Sequence, residues 1–253
     1  MKQGAKVLVM PVAILLYWQL IANSGMVSAY LLPAPLTVWS AAIQLYNSGV
    51  LVESIVVSLT RVFQGFSISC LLAFGMAIVV NSSHTIEQLL SAPLALLRMI
   101  PPLAMTPLLI LWFGIGITTQ LSIIVLASFF PVFINARDGF RRVQPEHQEL
   151  AKNLQLSRMR YFLNIVLPSA IPYIITGIRI GFGYSWRALI GAELIAASAG
   201  LGYLIIDSQE MMRTADVMVG ILTIGLIGWI LDTLFERLVH ARLSHRFPQL
   251  GQT

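Results

Sequence analysis

The chain has 253 residues, 57% of them apolar and 11% charged, with a mean hydropathy of +0.80. A soluble domain is about 45–50% apolar and about 25% charged, and a disordered chain needs low hydrophobicity with high net charge, so both classes are excluded. The net charge of +5 points to a membrane rather than to nucleic acid, because the basic residues gather at Lys2 and Lys6, between Arg137 and Arg160, and at Arg237, Arg242 and Arg246.

In chain order, Lys2 and Lys6 precede an apolar run from Val7 to Leu16, and Val27-Ser28-Ala29 fits a small-residue cleavage pattern, as a signal peptide would. Ala29 lies well beyond that run, with Asn23, Ser24 and Gly25 between, so an uncleaved first span is expected. Apolar segments at 8–24, 54–80, 92–114, 118–136, 168–196 and 216–236 are each long enough to cross a bilayer. The expected fold is therefore an all-α membrane protein of six transmembrane helices, a single domain over 1–253. Leu32-Pro33-Ala34-Pro35 breaks the chain after the first span, and 36–47 reads as a short amphipathic helix with Trp39 and Tyr46 at the membrane interface. Pro93, Pro101, Pro102 and Pro107 predict an irregular third span, tolerated where neighbouring protein re-satisfies the freed carbonyls. Glycines 177, 181, 183, 220, 225 and 228 would let helices approach closely. Six spans put the three basic clusters, 11 Lys and Arg, on one side, against Arg213 and the span-edge Arg61 on the other. That asymmetry predicts N-in, C-in. Cys70 is alone and forms no intrachain disulfide.

Residues 137–168 are the longest polar stretch. Pro145 followed by Glu146 and Glu149 predicts a helix start. Leu150, Leu154 and Leu156 give an apolar edge to a compact amphipathic helix pair, and the alternative on composition is a solvated loop that only anchors topology.

This stretch resembles the EAA loop of binding-protein-dependent ABC importer permeases, which runs Glu-Ala-Ala, three residues, Gly, nine residues, Ile-x-Leu-Pro. Glu149-Leu150-Ala151, Gln155 and Ile165-Val166-Leu167-Pro168 hold that spacing, with Leu150 in place of Ala and Gln155 in place of Gly. Glycine permits a left-handed turn there; glutamine can occupy it only at some cost. The similarity extends to Leu32-Pro33-Ala34-Pro35, Ser58-Leu59-Thr60-Arg61-Val62, Ile100-Pro101-Pro102-Leu103-Ala104, Pro107 to Gly114, Trp186, Ala192-Glu193 and Gly200-Leu201-Gly202, as in the nitrate/sulfonate/taurine branch.

The resemblance implies a type I ABC importer permease fold in a bacterial-type cytoplasmic (inner) membrane. It implies ABC ATPase subunits docking from the cytoplasm on a loop carrying Glu149, Ala151, Gln155, Ile165, Leu167 and Pro168. It further implies an external solute-binding protein and a second permease copy, a homodimer in this branch. The cargo it favours is a sulfonate, taurine or nitrate-like anion, although branch members also carry neutral vitamin-like precursors. The chain has no Gly-x4-Gly-Lys-Ser/Thr loop to cradle phosphates, and its only lysines are 2, 6 and 152. No cofactor of its own is expected, with ATP held by the partner, and the chain is not itself an enzyme.

Ionisable groups inside spans are functional candidates by default. Arg187, Glu193 and the neighbouring Trp186 are the candidate substrate pathway, since arginines facing a pathway would attract an anion. The structural alternatives are an Arg187 paired with Glu193 or with a neighbouring subunit, and an Arg179 that snorkels to the surface. Arg61 and Arg98 lie near span ends, where interfacial anchors are expected, and Asp232 and Glu236 form a salt-bridged span end beside Arg237. Histidines 84, 147, 240 and 245 have no metal spacing, and no Gly-x-Ser-x-Gly elbow is present. An ion-coupled stand-alone secondary transporter is the second reading. It predicts internal repeats, which are not evident, and leaves the polar central loop without a use.

Overall fold

The computed structural model describes Lys2–Leu243; His245 and Arg246 of the basic tail lie outside the described residues. Every regular element among them is helical: α1 (Lys2–Asn23), α2 (Pro35–Asn47), α3 (Val50–Ser82), α4 (His84–Met99), α5 (Thr106–Phe113), α6 (Ile117–Arg141), α7 (Pro145–Asn153), α8 (Arg158–Tyr161), α9 (Leu167–Ala196), α10 (Leu201–Glu210) and α11 (Thr214–Leu243). A 3₁₀ turn over Pro102–Met105 precedes α5, and a π-helical turn over Phe162–Val166 joins α8 to α9.

Among the described residues four stretches are long and apolar enough to cross a membrane: Val50–Ser82, Ile117–Arg141, Arg158–Ala196 and Thr214–Val239. A fifth is the pair α4 and α5, bent by 87°. The bend has a local cause. Ile100 precedes Pro101 and is held extended (φ −81°, ψ 118°), because a proline ring disfavours helix in the residue before it. The irregularity expected of the third span is thus a sharp corner. The 22 residues of α1 rise about 33 Å at about 1.5 Å each, but its apolar part, Val9–Asn23, is shorter than the other spans.

The helices group into two compact units. One contains α1, α2, the first turns of α3, α10 and the first half of α11. Pro35 starts α2 from an extended Ala34 (φ −65°, ψ 149°), a position where the missing N–H is not needed. Val38, Ala41 and Leu45 form the buried stripe of α2 and meet Leu204 and Val219, while Trp39 and Tyr46 stay exposed. Trp18 Nε1 donates to the Pro33 carbonyl at 3.1 Å. The Leu201 N–H donates to Ser58 Oγ at 2.9 Å, fixing the start of α10. Arg213 bridges Asp207 (2.9 Å) and Asp216 (3.3 Å) across the α10–α11 turn.

The second unit holds Leu59–Ala197 and the described residues from Ile227 onward. Its core joins Ala73, Ala77 and Val80 of α3 to Val132, Phe133, Ala136 and Phe140 of α6 and Ala170 of α9. A second cluster joins Leu109 of α5, Ile123 and Ala127 of α6, and Ala188 and Ala192 of α9. Helices α6 and α9 take part in both clusters. Small residues make their contact close: a Cβ placed on Gly177 would fall 2.7 Å from Asn135 Cβ, and one on Gly181 2.6 Å from Val132 Cγ2. Gly139 of α6 answers in kind against Tyr173 and Ala170. Of the six glycines singled out in the sequence, 177, 181, 220 and 228 sit against a neighbour, whereas 183 and 225 have open space.

Gly181→Leu should accordingly lower stability by about 1–3 kcal/mol or more through overpacking against Val132, read as a fall in Tm of the detergent-purified protein. Gly183→Leu should leave Tm unchanged, because nothing lies within 4 Å of its Cβ.

Candidate coupling loop and buried charges

The polar connector between α6 and α9 folds as the helix pair expected of it. Helix α7 begins at Pro145 and ends in a left-handed turn: Gln155 has φ +48°, and the Leu156 N–H returns to the Ala151 carbonyl at 3.1 Å. That i→i−5 bond closes a helix C-terminus when the following residue turns left-handed. Gln155 thus adopts the geometry that glycine takes more easily. Ser157 then caps α8, accepting the Arg160 N–H at 3.4 Å.

The loop is fastened at its base. Val143 and Val166 are buried in the α3–α6–α9 core, and the Phe140 and Phe162 rings meet edge-on at 5.5 Å. Gln148 Nε2 donates to the Val143 carbonyl at 3.1 Å. Arg142 reaches Tyr173 of α9, its Nη1 donating to the phenol oxygen at 3.2 Å. Arg141 forms an ion pair with Glu87 of α4, placing the start of α4 beside the end of α6. Of the residues expected to couple, Glu149 and Gln155 are exposed, Ala151 is buried beneath them, and Ile165, Leu167 and Pro168 are half-buried where the π turn becomes α9. Leu150 and Leu154 are 51% and 61% exposed, so the outer face of this polar loop carries an apolar edge.

The charges within the spans are arranged differently from the sequence reading. Arg61 is not an interfacial anchor: its Nη1 lies 2.9 Å from Glu193 Oε1, with side-chain exposures of 13% and 0%. Glu193 therefore pairs with Arg61 rather than with Arg187. A carboxylate this deep must be paired, because an uncompensated buried charge costs several kcal/mol. Arg179 holds Asp232 through two 3.1 Å bonds and Glu236 through a third of 3.1 Å, tying α9 to α11; the salt-bridged span end expected of these two acids forms, with Arg179 as its cation. Trp186 is buried with its indole against Gly228, and Arg187 is exposed. Gln120 Nε2 donates to the Ala196 carbonyl at 2.6 Å, fixing the end of α9. Among the described residues no group of three or more His, Cys, Asp or Glu could hold a metal ion.

This arrangement has its counterpart in known proteins. The family model of the binding-protein-dependent transport system inner membrane component matches residues 65–244. The chain belongs to that family. It is a transport permease subunit, a multi-pass protein of the inner membrane, and not an enzyme family member. The chain is 36% identical over 238 residues to the putative aliphatic sulfonates transport permease protein SsuC of Bacillus subtilis (strain 168), covering 94% of this chain and 86% of that one. It is 35% identical over 236 residues to the taurine transport system permease protein TauC of Escherichia coli (strain K12), covering 91% and 86%. A chain in the crystal structure of an amino acid ABC transporter with histidines shares the fold, with a TM-score of 0.64 at 19% identity, over 78% of this chain and 94% of that one.

Glu193→Gln should destabilise the permease by about 3–5 kcal/mol, because Arg61 is left charged and buried. Replacing both together, Arg61→Met with Glu193→Leu, should recover most of that loss. Thermal or SDS unfolding of the three proteins measures both effects.

Proposed function

We propose that this permease subunit passes a small anion, an aliphatic sulfonate, taurine or a nitrate-like ion, delivered by an external solute-binding protein, and that ATP hydrolysed by separate ABC ATPase subunits drives it. The supporting observation is the connector between α6 and α9. Its exposed Glu149, Leu150, Leu154 and Gln155 stand on a base fixed into both long helices. A partner that pulled on α7 would therefore move α6 and α9 as a body, which is how packed helices rock between two accessible states. Glu149 and Gln155 meet the ATPase, Ala151 packs α7 down, and Ile165, Leu167 and Pro168 pass the displacement into α9. The sulfonate and taurine permeases among its relatives support the cargo class.

In this reading α1 makes a sixth crossing, the termini and the coupling loop are cytoplasmic, and residues 1–253 act as one transmembrane domain containing the 137–168 coupling loop. A second copy completes the pore as a homodimer, lipid surrounds it, and the chain binds no cofactor or nucleic acid of its own. Arg187, exposed on α9, faces the pathway, with Trp186 and Glu193 holding its helix in place.

An affinity-tagged chain co-expressed with its ATPase should retain that ATPase through purification. Glu149→Arg should reduce the retained amount about tenfold, as reversal of a contact charge does. A wild-type chain that purifies alone overturns the proposal.

A further inference from the structure

Two hollows open along one face of α6. The larger, about 360 Å³, is lined by Arg98, Pro102, Pro131, Asn135 and Tyr184 among apolar neighbours. The smaller, about 240 Å³, has Glu87, Ser91 and Arg137 in its wall. Arg98, Phe130 and Ile134 line both, so Arg98 stands where the two meet.

The charges of the smaller hollow are already engaged. Glu87 is paired with Arg141, and Arg137 donates to Asp138 at 2.9 Å and lies 5.9 Å over the Phe133 ring. Arg98 is different: it is an exposed residue of α4, and among the described residues it has no hydrogen bond and no ion pair. It lies about 16 Å further along α4 than Glu87, at about 1.5 Å per residue, well away from the charged base of the coupling loop. A guanidinium stays charged, so an exposed Arg98 with no protein partner offers that charge to whatever enters the two hollows.

The surrounding groups suit an anion in passage. The guanidinium fork matches two oxygens of a sulfonate, carboxylate or nitrate. The rest of the larger wall is mostly apolar, with a few polar groups. Asn135 Nδ2 is turned back to the Pro131 carbonyl at 2.8 Å, and Pro131 offers no N–H to the Ala127 carbonyl four residues earlier, which lies on the same wall. A lone cation among apolar walls draws an anion in without trapping it, the balance that conduction requires.

We infer that Arg98, at the junction of the two hollows beside α6, is a transit site for the oxyanion group of the cargo. The inference rests on the anion-importer reading above. Neither Arg187, Trp186 nor Glu193 lines either hollow, so Arg98 adds a contact that the candidate pathway residues do not supply.

The test uses the whole complex in proteoliposomes, with taurine, an alkanesulfonate and nitrate each supplied on its binding protein. Arg98→Gln should cut ATP-driven uptake about tenfold or more, the loss expected for a charge-assisted hydrogen bond, with ATPase retention and Tm unchanged. Arg98→Lys should keep a substantial part. A merely structural arginine in the last turn of α4 would move Tm instead of uptake. A second variant separates the two roles. With Cys70, the single native cysteine, replaced by Ala, Arg98→Cys should regain uptake on labelling with aminoethyl methanethiosulfonate. The sulfonatoethyl reagent should not restore it, and excess cargo should slow either labelling. Wild-type uptake by Arg98→Gln, or labelling indifferent to cargo and to reagent charge, overturns the Arg98 assignment alone. A wild-type complex that imports none of the three anions overturns the reading beneath it, and Arg98 with it.

Discussion

Hydrocarbon gives two helices no hydrophobic reason to associate, so those that must move together are held by close van der Waals contact and internal hydrogen bonds. In this chain that condition is met most fully between α6 and α9. Gly177 and Gly181 of α9 and Gly139 of α6 leave no room for a side chain at their contacts. The packing runs on through Ala136, Phe140, Val143, Val166 and Ala170 into the base of the proposed coupling loop. The loop is thus continuous with the helix pair in packing as well as in sequence, and a displacement at α7 has a stiff route into the membrane.

The charges divide along the same lines. Arg61 with Glu193, and Arg179 with Asp232 and Glu236, satisfy one another between helices. Groups neutralised in this way specify which helix faces meet, and offer a passing anion little. Among the described residues Arg98 and Arg187 are in no such pair. The interhelical pairs therefore belong to the frame, and Arg98 and Arg187 are the arginines proposed to meet the anion. The 87° corner at Pro101 and Pro102 serves the same division, because it ends α4 just after Arg98 and opens the wall beside α6.

Much of this was legible in the sequence, for physical reasons. The bilayer imposes a length, so the apolar runs at 54–80, 118–136, 168–196 and 216–236 correspond to long helices. The proline cluster foretold a break, though not its angle, which depends on how α4 and α5 pack. The resemblance set Gln155 at a position where glycine would turn left-handed and glutamine would do so only at some cost, and the chain makes that turn, with a φ of +48° at Gln155. Charge pairing was not legible. Arg61 and Glu193 are 132 residues apart, and no local pattern tells a span-edge arginine that anchors at the interface from one that turns inward to a distant carboxylate. The same holds for Arg179 and for Glu87 with Arg141. Spacing also overstated the glycines: 183 and 225 look like 177 and 181 in sequence but face open space.

The family and the coupling loop lead to one central claim: transport by this chain is driven by ATP on a partner and not by an ion gradient. The most direct measurement is uptake of a labelled alkanesulfonate into proteoliposomes holding the permease and its ATPase, with binding protein outside, ATP inside or absent, and ionophores present or absent. An ATP-driven importer accumulates the anion only with internal ATP and continues when ionophores collapse every ion gradient. Accumulation without ATP that ionophores abolish would contradict the claim and establish an ion-coupled carrier in its place.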